Sequence, residues 1–217
     1  DIDDVNIDYQ ILGESEFSMD QMNVLLVAVK KDLVAEYIDL LSLAGLTPRI
    51  IDVDTFALQN IYEVLPDSDP EKVTLLVDVG ASKTSLNILK GNISLMMRDN
   101  VSGTDQILEE LSVELDISIE EAETMVSDGN NDQNESKAIA EISQRIANSW
   151  CSEICEVVYT FQSSKNEKKV EKVVLSGGGG FVEGFSDNLR SELNVEVVGI
   201  KPFEGLILDE KRFPNSF

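Results

Sequence analysis

Apolar positions along this 217-residue chain follow two different periods, and the alternation between them predicts its elements. Unbroken runs at Val24-Leu25-Leu26-Val27-Ala28-Val29, Val73-Thr74-Leu75-Leu76-Val77 and Val173-Val174-Leu175 read as strands, the last two covered on both faces. A weaker run predicts a further strand over 5–12. Between the runs, apolar residues recur every three or four positions. Leu33, Val34, Tyr37, Ile38, Leu41 and Ala44 form one stripe, predicting a helix over 31–44 with Gly45 as its C′ residue. A strand at 48–53 and a short helix at 56–62 complete a β-α-β-α series.

Farther along, strands are expected at 73–79, 84–89 and 93–98, with Lys90-Gly91-Asn92 turning between the last two. Ile107, Leu108, Leu111 and Leu115 mark one helix. Ser118-Ile119-Glu120-Glu121 fits a capping box opening another, which Asp128-Gly129 ends. A polar loop is expected over 130–136, then a long helix over 138–162 whose stripe includes Ile142, Trp150, Ile154 and Phe161. That stripe is a packing face, and Trp150 belongs to it. A strand at 170–175, a helix at 185–193 and a strand at 195–198 close the series. Pro66-Asp67-Ser68-Asp69-Pro70 reads as a linker. It divides a first part, 1–66, from a second, 71–217, with a helical insertion at about 101–165.

Charge narrows the partners. The net charge of −24 is spread along the chain, so phosphate backbones and anionic headgroups are repelled and nucleic acid is not an expected ligand. No apolar run approaches the roughly 20 residues that span a bilayer. The chain has no histidine, which excludes a His-dependent triad and a His-ligated zinc. Cys151 and Cys155 stand one helical turn apart, a poor spacing for a structural disulfide, and are expected as reduced thiols.

Two glycine turns, each behind a buried strand, carry the candidate chemistry. In Asp78-Val79-Gly80-Ala81-Ser82-Lys83-Thr84 the backbone N–H groups and the Ser82 and Thr84 hydroxyls suit a phosphate. Asp78 would face a metal or its waters, and Gly80 allows close approach. Lys83 places a positive charge beside that site. In Ser176-Gly177-Gly178-Gly179-Gly180 the backbone offers a flat surface for a base or ribose; the plainer reading is a flexible linker. It is neither a Walker loop nor a GxGxxG fingerprint behind a first strand.

Taken in order, these segments resemble the second half of an actin-like (ribonuclease H-like) ATPase. The stretch from Leu76 to Ala81 with Thr84 is similar to the second phosphate motif of that superfamily. Val174-Leu175-Ser176-Gly177-Gly178-Gly179 with Gly184-Phe185 is similar to its adenosine motif. Within the superfamily the chain resembles the PilM family of type IV pilus proteins, related to the division protein FtsA. The supporting segments are Ile51-Asp52-Val53-Asp54-Thr55-Phe56-Ala57-Leu58, Ala44-Gly45-Leu46-Thr47-Pro48 and Glu120-Glu121-Ala122-Glu123. The resemblance implies an α/β fold, a mixed sheet flanked by helices, with the second lobe complete and the first partial. It implies a fragment lacking the opening lobe segment, with its first phosphate motif, and a C-terminal helix.

It also implies ATP with Mg as cofactor, held by Asp78, Gly80, Ala81, Ser82, Thr84, Glu123, Gly177, Gly178 and Gly179, with Asp78 on the metal side. Two positions depart from the pattern. Val126 stands where a lysine three residues after the glutamate serves ribose and base, and Ser102-Gly103 stands in place of a glycine pair. The function implied is a cytoplasmic scaffold at the bacterial inner membrane, holding the N-terminal cytoplasmic peptide of a PilN-like membrane protein and communicating with pilus motor ATPases. The alternatives are a nucleotide-hydrolysing or FtsA-like protein, and an actin-like interaction module without ligand. With one cradle and one metal carboxylate, turnover by this chain is not expected.

Overall fold

The structure, a computed structural model, describes residues 1–14, 20–128, 132–164 and 169–204. The chain divides into two compact units, Asp1–Val53 and Asp54–Phe217, so the junction falls ahead of the Pro66–Pro70 turn region.

In the first unit, β1 (Val5–Glu14) and β2 (Met22–Lys30) form an antiparallel pair, followed at once by α1 (Lys31–Leu43). The helix ends as its sequence dictates. Gly45 sits at φ +76, its N–H donates to the Ser42 carbonyl, and the Leu46 N–H donates to the Leu41 carbonyl. These are the two bonds of a Schellman motif. The α1 helix contacts β2, where Leu25, Val27 and Val29 are half-buried; the alternate residues Val24 and Leu26 are exposed. Ile7, Tyr9 and Ile11, paired with Ala28, Leu26 and Val24, are exposed as well. No described residue of this unit is buried. The strand expected at 48–53 is not formed. Among the described residues this unit's sheet has only β1 and β2, so an extended 48–53 has no ladder partner.

The second unit holds a five-stranded mixed sheet in the order β5-β4-β3-β6-β7. Its strands are β3 (Val73–Val79), β4 (Thr84–Lys90), β5 (Ile93–Asn100), β6 (Lys172–Ser176) and β7 (Glu196–Gly199). Neighbours β3, β4 and β5 are antiparallel; β3, β6 and β7 are parallel. Alternation along β3 assigns its two faces. Val73, Leu75, Val77 and Val79 join the main core with α3 (Asp105–Leu115), α5 (Gln133–Ser164) and α6 (Phe185–Leu193). Ala122 of α4 (Ile119–Asp128) enters the same core.

Thr74 and Leu76 face the other way, where α2 (Asp54–Val64) packs with Leu58 and Tyr62, and the Tyr62 hydroxyl lies 3.1 Å from Thr74 Oγ1. Gln59 fastens α2 to the β4–β5 hairpin. Its Oε1 accepts from Asn87 Nδ2 and Ser94 Oγ, and its Nε2 donates to Glu63 Oε1 and the Asn92 carbonyl.

Two helices of the insertion, α4 and α5, start on side-chain caps. The Glu121 N–H donates to Ser118 Oγ, while the Ser118 N–H donates to Glu121 Oε2, completing the expected capping box. That bond holds the Glu121 carboxyl below its ordinary value. The polar loop over 130–136 is corrected: α5 begins at Gln133. The N–H groups of Asn134 and Glu135 donate to Asp132 Oδ1, and the Asp132 N–H donates to Glu135 Oε2. A second capping box, with Asp in the lead position, starts the helix five residues before the predicted 138. Gly129, expected to end α4, lies outside the described residues. Cys151 and Cys155 are free and buried on α5.

Candidate functional site

The two glycine turns meet because their strands are neighbours. Parallel pairing of β3 with β6 sets Asp78 opposite Ser176, so both turns emerge at the same end of adjacent strands. Antiparallel pairing then aligns Asp78 with Ser85, and Ser85 with Asp99. A polar row, Ser176–Asp78–Ser85–Asp99, therefore crosses four strands at one level. Ser85 Oγ in the middle of this row is buried and has no hydrogen-bond partner among the described residues.

The first turn is a tight hairpin. The Gly80 N–H donates to the Lys83 carbonyl at 2.9 Å, leaving Ala81 and Ser82 at the tip, both exposed. Neither the Ala81 nor the Ser82 N–H donates to another described group. The turn is braced from behind by the start of α3. The N–H groups of Thr104 and Asp105 donate to the Gly80 and Ala81 carbonyls at 3.0 and 2.9 Å. Gly103 permits this approach, since a Cβ there would lie 2.2 Å from the Ala81 carbonyl oxygen. Thr84, expected to offer its hydroxyl to a phosphate, is buried and donates instead to the Ser102 carbonyl at 2.7 Å.

The second turn separates its glycines by role. Gly177 stands at φ +77, and a Cβ there would lie 2.3 Å from the Val79 carbonyl oxygen and 2.8 Å from Asp78 Oδ1. At Gly179 a Cβ would lie 2.2 Å from Val79 Cγ1 and 3.2 Å from Trp150 Cζ3. Both are required by packing onto the end of β3. Gly178 is different: nothing lies within 4 Å of its Cβ position. The run continues as a 3-10 turn, Gly178–Phe181, and is no flexible linker.

Trp150 and Gln106 join the two turns, although neither carries a sequence signal of a site residue. The Trp150 ring packs edge-on against Phe185 at 5.7 Å. Its Nε1 donates to Gln106 Oε1 at 3.2 Å, and the same oxygen accepts from Ser102 Oγ. Ser102 in turn receives Thr84. A continuous path thus runs from the first turn through Ser102, Gln106 and Trp150 to Gly179. Nothing in the pattern of the sequence marks Gln106, which acts only through its place on the first turn of α3.

Lys83 does not stand free beside the turn. Its Nζ lies 2.7 Å from Asp54 Oδ2, at the start of α2, and 3.4 Å from Asp99 Oδ2 on β5. The bond from Lys83 holds the Asp54 carboxyl below its ordinary value, and Asp54 raises the Lys83 ammonium in return. Glu123 is exposed on α4, and Val126, one turn on, lines an open cleft of about 700 Å³ with Ile139, Ser143, Gln144, Val182 and Gly184. Glu123 itself does not line that cleft.

The residues fit a phosphate-bearing ligand at the hairpin tip. Exposed, undonated N–H groups at Ala81 and Ser82 and the open space at Gly178 would receive it. No three acidic or cysteine side chains gather as a metal cluster among the described residues. A Mg²⁺ here would rest on Asp78 and on the phosphates it neutralises.

A family model described as type IV pilus assembly protein PilM matches residues 1–216. Among solved structures, the chain is similar to one titled "PilM-PilN type IV pilus biogenesis complex", with 25% identity and a TM-score of 0.80. That match covers 98% of this chain and 61% of the other, so this chain spans about three-fifths of the length of the protein it matches. Weaker similarities extend to the ethanolamine utilization protein EutJ from Carboxydothermus hydrogenoformans. There the identity is 22%, covering 60% of this chain and 46% of that one, at a TM-score of 0.44. Ta0583, an archaeal actin homolog in complex with ADP, matches at 14% identity over 68% of this chain and 49% of that one, at a TM-score of 0.48.

Proposed function

The chain belongs to the PilM family of type IV pilus assembly proteins, and from that premise we propose that it serves as a scaffold of the pilus assembly platform. In this reading it works in the cytoplasm at the inner membrane, engages the N-terminal cytoplasmic peptide of a PilN-like membrane protein, and relays conformational signals from pilus motor ATPases. The observation that carries the reading is the 0.80 TM-score over 98% of the chain to a PilM solved together with PilN. No described helix is long and apolar enough to cross a membrane, which suits attachment through a partner. A synthetic N-terminal peptide of the PilN-like protein from the same genome should bind the full-length protein in calorimetry. Absence of detectable heat at high-micromolar peptide would overturn the partner assignment.

Within the scaffold, the two turns are proposed as one side of a nucleotide cleft taking ATP with Mg through Asp78, Gly80, Ala81, Ser82 and Gly177 to Gly179. The undonated N–H groups at the hairpin tip support it. A second reading, an actin-like interaction module without ligand, is favoured by two observations: the Thr84 hydroxyl and the Lys83 ammonium are both engaged by protein groups. Melting with Mg-ATP separates the two. A ligand at about 100 times its Kd adds roughly 2.7 kcal/mol, whereas the ligand-free module melts unchanged.

A further inference from the structure

Lys83 is the residue whose surroundings the proposed function leaves unexplained. It follows the hairpin tip directly, yet its ammonium points to Asp54 at 2.7 Å and Asp99 at 3.4 Å. Asp54 is the first residue of the second unit and opens α2, immediately after residues 46–53, which have neither helix nor strand. The rest of α2 is held independently, by Gln59 on the β4–β5 hairpin and by Tyr62 on Thr74. Only the first turn of α2 therefore depends on Lys83.

We infer that Lys83 is a latch joining the ligand turn to the start of α2, released when a polyanion occupies the Ala81–Ser82 tip. The inference rests on the nucleotide reading of that turn. The chemistry is a competition for one cation. Lys83 carries its charge on a flexible four-carbon stem, and two carboxylates now share it. A phosphate chain on the tip N–H groups presents more negative charge within the sweep of the same stem. Once the ammonium turns to it, Asp54 and Asp99 lose their counter-ion, and the first turn of α2 loses its tie to the ligand turn. Both acids are half-exposed, so the tie is weak enough for a ligand to break.

Amide hydrogen exchange on the full chain, read by mass spectrometry over residues 50–58, tests this. In Lys83→Met, exchange there should rise by about 1.4- to fivefold, the range for loss of one surface ion pair. Peptides of β3 and β6 should not change. Lys83→Arg keeps the charge and should stay at the native rate. ATP with Mg²⁺ at saturation should raise exchange over 50–58 in the native protein and add nothing in Lys83→Met. An unchanged rate in Lys83→Met overturns the latch while leaving nucleotide binding intact. Binding seen by calorimetry without a change over 50–58 overturns it as well. No binding at all removes the effector, and then the nucleotide reading falls with the latch.

Discussion

The two units of this chain build structure in opposite ways. In Asp54–Phe217 the strands β3, β4 and β6 are buried almost throughout, and one core joins the sheet to four helices. In Asp1–Val53 hairpin, helix and Schellman cap are all well formed, yet no described residue is buried. Local rules suffice to shape the first unit; burial stabilises the second. The lesson is that regular elements and a stabilising core are separable, because caps and turns act within a few residues while hydrophobic free energy scales with area removed from water.

Truncations to alanine in each unit should break this contrast most sharply if it is wrong. Trp150→Ala, which empties a fully buried site between α5 and α6, should cost about 3–5 kcal/mol in denaturant unfolding. Leu26→Ala on the open face of β2 should stay within about 0.5 kcal/mol. Comparable losses at the two sites would show that the first unit has a core after all.

The glycines sharpen the comparison inside the second unit. Gly177→Ala combines a left-handed backbone with overlap on the Val79 carbonyl and should cost about 2–4 kcal/mol. Gly178→Ala meets only open space and should leave the melting temperature within a degree or two of native, while weakening Mg-ATP binding. A smaller step is expected at the helix starts. Asp132→Ala should lower stability by about 1 kcal/mol by removing the acceptor for two N–H groups.

The smallest effect is electrostatic. Asp54 is held below its ordinary 3.8 and Lys83 above its ordinary 10.5. Their contribution is therefore complete between those values. It is lost as pH falls through the depressed Asp54 value, and again as pH rises through the elevated Lys83 value. The stability difference between the native protein and Asp54→Asn should be flat across neutral pH, below about 1 kcal/mol, and vanish at both extremes. A difference that changes between pH 5 and 9 would mean that another group is involved.

Much of the fold was legible because its signals are local. β3 and α6 begin and end at the residues their sequence predicts, and the Ser118 capping box follows from its spelling. The box at Asp132 lies hidden in an Asn- and Asp-rich stretch that also reads as a loop, and only the bonds to Asp132 Oδ1 decide between them. The strand expected at 48–53 failed for a non-local reason: a strand is defined by its neighbour. The site followed the same division. Both turns could be located from glycines behind apolar runs. That the Thr84 hydroxyl goes to Ser102, that Lys83 turns to Asp54, and that Gln106 links Trp150 to Ser102 are contacts between distant parts of the chain, which no spacing rule encodes.

The packing of Gly177 and Gly179 against the end of β3 also bears on how such a motif ages. A lineage that ceased to bind nucleotide would gain no freedom at either position, because each is held by the strand beside it. Between the two flanking glycines, drift could begin at Gly178. The two flanking glycines would thus persist as a fossil of the ligand site, maintained by folding long after selection for binding had ended.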